Sequence, residues 1–176
     1  VSYAVMLLVM TATPVAMIGC GHQVGDAVQV IQWHVLGMFA PSFFTGGLIA
    51  RFGAPRVMAA GFVLLLGHVA IALTGTEVLH FGSALVLLGV GWNFSFVGGT
   101  ALLTTAYREA EQSRAQAIND FVVFGTVAGA SVSSGWLYHQ FGWQTLNLAA
   151  LPFLVAALLA TVALIRRPTR VAPARA

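Results

Sequence analysis

Asp120 is the one carboxylate set well inside an apolar run of this sequence, and Asn119 stands beside it. An ionised acid in hydrocarbon is costly and must face water, a counter-charge or a polar cavity, so Asp120 reads as a charge lock or a protonation site. The competing reading is a first-turn acid favoured by the positive end of a helix. His34 is a second titratable candidate, grouped with Gln29, Gln32 and Trp33. Its alternative, a hydrogen-bonded structural imidazole, applies more strongly still to His68. The run GVGWNFSFVGGT, residues 89–100, offers different chemistry. An aromatic ring, an amide and hydroxyls (Trp92, Asn93, Ser95, Thr100) among glycines suit a cavity for a small organic solute. They also suit close helix packing, with Asn93 bonded to a neighbouring helix. Thr11, Thr13 and Pro14 form a similar group, in which the proline frees a carbonyl and permits bending.

These residues need helices that cross a bilayer. The chain of 176 residues is 59% hydrophobic and only 7% charged, against about 25% charged in soluble domains. Apolar stretches predict spans at about 1–20, 27–50, 56–75, 80–105, 114–138 and 144–165. Each is long enough to cross about 30 Å of hydrocarbon. The joins GCGHQVGD, RFGAPR, TGTEVLH, YREAEQSR and HQFGW are short and rich in turn residues, so one bundle over 1–166 with a basic tail at 167–176 is expected.

All eight basic residues are arginines, at 51, 56, 108, 114, 166, 167, 170 and 175, and alternate joins carry none. That places them on one side, which the positive-inside rule makes cytoplasmic, together with the C-terminus. Their scatter explains the pI near 9.8 without a nucleic-acid patch. Arg51 and Arg56 set topology and are candidates for a gating contact. Trp33, Trp136 and Trp143 fall towards the outer ends of their spans, where interfacial aromatics belong. The single Cys20 excludes an internal disulfide, and MIGC at 17–20 reads as a helix end rather than a lipidation site.

Gly46, Leu48, Phe52 and Gly53 recur as Gly135, Leu137, Phe141 and Gly142, each 89 residues later. That offset relates the first three spans to the last three, and three is odd, so the second unit enters from the opposite face. The expected fold is an all-α membrane protein of six transmembrane helices in a 3+3 inverted repeat. The third and sixth spans carry the fewest polar residues and are expected to face lipid. Small residues at 125, 129 and 133 predict close packing of the fifth span against a neighbour.

The segment GGLIARFGAPR, residues 46–56, resembles the loop motif G-x-L-x-D-R-x-G-x-[RK] of the major facilitator superfamily of secondary transporters. The short join GWLYHQFGW at 135–143 is similar to that family's link between its last two helices. The resemblance covers nearly the whole chain as the C-terminal half of a twelve-helix fold. It implies a bacterial inner-membrane carrier working by alternating access, with an N-terminal six-helix half as partner and a solute site at the midplane. The start at Val1, inside an apolar run without an initiator Met, fits that expectation of a fragment. Ala50 stands where the motif has Asp, which moves the expected gating chemistry from this loop to Asp120.

No phosphate-cradling loop for ATP and no metal or cofactor motif is present, so none is expected. The runner-up is a self-contained six-helix channel or a substrate-binding membrane subunit. An intramembrane serine protease would need a nucleophile such as Ser134 paired with a base such as His68.

Overall fold

The computed structural model describes residues 1–166; the expected basic tail at 167–176 lies outside them. The described chain is helical apart from short joins: α1 Ser2–Gly19, α2 Val24–Phe39, α3 Ser42–Phe52, α4 Ala54–Ala72, α5 Val78–Thr104 and α6 Gln112–Arg166. A single 3-10 turn, Glu109–Glu111, precedes α6. Five of the helical stretches are long and apolar enough to cross a membrane, with α2 and α3 taken together.

Two differences from the expected spans have local causes. The second span is broken where Pro41 removes a backbone donor, although Ala40 and Pro41 keep helical dihedrals. Short bonds bridge the break: Phe44 N–H and Thr45 N–H both donate to the Pro41 carbonyl, at 3.0 and 2.9 Å. The fifth and sixth spans run into one another as α6, whose 55 residues are interrupted only at Gly142 (φ 74°, ψ 179°). The expected five-residue join HQFGW thus shrinks to one residue. A backbone at that φ favours glycine, because a Cβ would clash with the following carbonyl.

Helix α5 lies at the centre and packs against α1, α2 and α4, while α6 packs against α1 and α4. The core between them is apolar, with Met6, Val9, Leu65, Leu85, Leu88, Leu146 and Leu154 at 0–1% exposure. Glycines set how close α5 comes to its neighbours. A Cβ on Gly89 would lie 2.6 Å from the His34 carbonyl of α2, and one on Gly61 would lie 2.6 Å from the Ser95 amide nitrogen of α5. Gly37 and Gly91 answer them across the same two crossings. The expected small-residue contact in α6 is absent: nothing approaches Gly125 or Gly129 within 4 Å. That face of α6 is open in this chain.

The third span is less lipid-facing than its sequence suggests. Gly61, Phe62, Leu65, His68, Val69 and Ala72 of α4 are all buried. Trp143 is not an interfacial ring either. It is 6% exposed, and its indole N–H donates to the Ala72 carbonyl at 3.1 Å, satisfying an orphan group at the end of α4. Trp136, by contrast, is 60% exposed.

Candidate functional site

The polar residues singled out in the sequence divide into bundle locks and cavity-facing groups. Asn93 is a lock. Its Nδ2 donates to the Met38 carbonyl (2.8 Å) and to Ser42 Oγ (2.7 Å), and its Oδ1 accepts the Thr45 hydroxyl (2.7 Å). Met38 lies just before the Pro41 break, so Asn93 supplies a donor where the helical ladder is interrupted. At 1% exposure its amide belongs to the helix contact and not to a cavity wall. Nothing in the sequence alone pairs Thr45 and Ser42 with Asn93, although both lie within about one turn of the mid-span Pro41.

The two buried histidines are also tied to α5. His34 Nδ1–H donates to the Leu85 carbonyl at 2.8 Å, and its Nε2 has no partner. The imidazole points into the bundle, whereas Gln29 and Gln32 are exposed, so the expected outer cluster is not assembled. His68 Nδ1 lies 2.9 Å from the Ala84 carbonyl and its Nε2 lies 3.1 Å from Asn147 Oδ1; both partners are acceptors, and a neutral imidazole donates to one of them. Asn147 also donates to the Trp143 carbonyl. One network therefore joins α4, α5 and α6, and Asn147 is a residue that the polar-poor sixth span concealed. Ser134 spends its hydroxyl proton on the Leu8 carbonyl at 2.6 Å. Among the described residues no serine and histidine form a nucleophile–base pair.

A cavity of about 520 Å³ opens between α1, α4, α5 and both parts of α6, at the end of the bundle that carries the arginines. Ser95, Thr100 and Asn119, three residues expected at a functional site, line it together. Phe62 and Phe96 are its aromatic lining residues, and Phe96 is stacked on Trp92 with centroids 5.1 Å apart and planes 9° from parallel. Tyr3 meets the Trp92 and Phe96 rings edge-on at 5.3 Å. Trp92 is 8% exposed and its indole nitrogen has no acceptor, so it backs the wall instead of facing the cavity. The sequence does not mark Tyr3 and Phe96, because aromatics in an apolar span carry no signal of their own.

The remaining candidates lie elsewhere. Thr13 is buried and donates to the Val9 carbonyl, while Thr11 faces outward from α1. Asp120 is exposed on the open face of α6, accepts the Asn119 amide at 3.2 Å and has no arginine within ion-pair distance among the described residues. Arg51 stands over the Phe52 ring at 5.2 Å, and Arg56 donates to the Phe52 carbonyl at 3.0 Å. Both arginines hold the turn at Gly53 locally. No group of three or more metal-ligating side chains occurs among the described residues.

The sequence profile of the Major Facilitator Superfamily matches residues 1–176. The chain belongs to that superfamily. It is 53% identical to a riboflavin transporter of Brucella anthropi over 157 residues, which are 89% of this chain and 39% of the relative. Two uncharacterized MFS-type transporters of Bacillus subtilis are 34% and 32% identical, over 82% of this chain and 34% of each relative. The chain thus spans between a third and two fifths of the length of these curated relatives. No solved structure matches it at a significant level. As a superfamily member with long apolar helices, the chain is a multi-pass membrane protein of a family of transporters.

Proposed function

We propose that the chain is the C-terminal, six-span half of a secondary carrier that moves riboflavin or a close analogue across a bacterial inner membrane. The observation that carries the alternating-access reading is a pair of glycines. Gly53 (φ 84°, ψ 147°) and Gly142 (φ 74°, ψ 179°) stand 89 residues apart, share one rare backbone conformation and each end a helix. The same offset pairs two buried hydroxyls. Thr45 reaches Asn93 on α5, and Ser134 reaches Leu8 on α1, so each unit's second helix bonds to the other unit's first. This crossed pattern supports a 3+3 inverted repeat with α6 counted as two spans, the symmetry that lets two halves rock about a shared site.

The substrate rests on the riboflavin transporter relative. The orientation rests on Arg51, Arg56, Arg108, Arg114 and Arg166, which fall at the helix ends of one side and by the positive-inside rule support a cytoplasmic assignment for that side and the C-terminus. In this reading the open face of α6, with Phe121 and Val132 more than four-fifths exposed, meets the N-terminal half. Asp120 on that face takes a counter-charge or a proton there, and the carrier uses no bound cofactor and performs no covalent chemistry.

Growth of a riboflavin-requiring bacterium on limiting riboflavin tests the proposal. Expression of the full-length protein is expected to restore growth. Asp120→Asn is expected to cut accumulation at least tenfold while leaving the protein in the membrane. Failure of the parent protein to restore growth would remove the riboflavin assignment, and an unaffected Asp120→Asn would remove the coupling role.

A further inference from the structure

The cavity at the arginine-bearing end has a chemical bias that narrows its ligand. Its volume of about 520 Å³ falls in the range of small-molecule sites. One wall is the Phe96 ring, held in place from behind by Trp92 and from the side by Tyr3. That ring is partly exposed, so a flat ligand has a fixed platform to stack on.

The polar side of the cavity is made of hydroxyls that have already used their protons. Ser95 donates to the Gly91 carbonyl (2.7 Å), Thr100 to the Phe96 carbonyl (3.0 Å) and Thr161 to the Ala157 carbonyl (2.7 Å). A hydroxyl whose proton is committed presents lone pairs, so these three face the cavity as acceptors. Asn119 adds an amide whose Nδ2 is partly engaged by Asp120. Among the described residues, no arginine or histidine side chain lines the cavity.

From this we infer that the cavity is a stacking subsite for the neutral form of a planar heteroaromatic ligand bearing several O–H or N–H donors, and that it rejects the phosphorylated form. The inference rests on the riboflavin reading above and deepens it. The isoalloxazine ring of riboflavin stacks on Phe96, and its polyol arm donates to Thr100, Ser95 and Thr161. The 5′-phosphate of the same molecule brings about two negative charges against acceptor hydroxyls with no cationic side chain among the described lining residues, which is costly at low dielectric.

Quenching of flavin fluorescence, read on the full-length protein in lipid nanodiscs, tests this. Riboflavin is expected to bind the parent protein with quenching, and riboflavin 5′-phosphate to bind at least tenfold more weakly. Phe96→Leu is expected to weaken riboflavin about tenfold and lose the quenching, with Phe96→Trp restoring both. Thr100→Val, at an exposed position away from the stack, guards against a folding artefact and is expected to weaken riboflavin a few-fold with quenching intact. Equal binding of the two flavins, or a folded Phe96→Leu that binds and quenches like the parent, overturns the subsite and leaves the cavity to lipid chains. No riboflavin binding to the parent protein overturns the riboflavin reading itself and this ligand class with it.

Discussion

Leucine at Gly61 or at Gly89 is expected to abolish folding of the bundle. Each glycine is a point where α5 touches a neighbouring backbone, and backbone cannot swing aside as a side chain can. A Cβ at Gly89 would sit 2.6 Å from the His34 carbonyl and 2.8 Å from the Met38 nitrogen. One at Gly61 would sit 2.6 Å from the Ser95 nitrogen and 2.8 Å from the Gly91 carbonyl. Overpacking a core by a few methylenes costs about 1–3 kcal/mol when side chains can adjust, and here whole helices must separate. Separation would also break the bonds that depend on close approach, from His34 to Leu85 and from Asn93 to Met38. The measurement is the fraction of monodisperse protein after detergent extraction. Gly25→Ala is the control, since nothing lies within 4 Å of Gly25 and alanine is the better helix former. A well-folded Gly61→Leu or Gly89→Leu would contradict these helix crossings.

Asn93→Leu is the second large effect, with an expected loss of about 2–3 kcal/mol. Leucine has the same branched outline but leaves the Met38 carbonyl and Ser42 Oγ without their donor in a buried contact, and an orphaned buried group costs about 1–3 kcal/mol. The coupling to Pro41 makes the prediction specific. With Pro41→Ala, residue 41 regains an N–H and the break can close into a continuous helix, whose own ladder then serves the carbonyls near Met38. Asn93→Leu is therefore expected to cost distinctly less in the Pro41→Ala background than in the parent. Thermal unfolding of the four proteins of this cycle measures the coupling. Equal costs in both backgrounds would mean that Asn93 is not serving the broken helix.

The parts of this structure that were legible in the sequence are those set by local chemistry. A long apolar run announces a span whatever packs against it, and Gly53 and Gly142 announce turns because their positive φ is a property of a single residue. The polar residue types were legible too, but their partners were not, because pairing is decided between helices distant in sequence. Asn93 could equally face a solute or a carbonyl 55 residues away, and only the fold selects Met38. Glycines mislead for the same reason. Spacing drew attention to Gly125 and Gly129, which touch nothing here, while the contacts fall at Gly37, Gly61, Gly89 and Gly91. Periodicity shows that a helix has a small face without showing what meets it. Of the cavity, Ser95, Thr100 and Asn119 were legible as polar side chains in apolar surroundings, whereas Phe96 and Tyr3 acquire their place only from the stack with Trp92.

In the proposed function this bundle works as half of a carrier with a site that alternates between two sides. Counterflow by the purified full-length protein in liposomes tests it most directly. Vesicles preloaded with unlabelled riboflavin are expected to take up labelled riboflavin transiently above equilibrium, with saturation as the outside concentration rises. Uptake that is linear in concentration and indifferent to preloading would mark a channel and contradict alternating access.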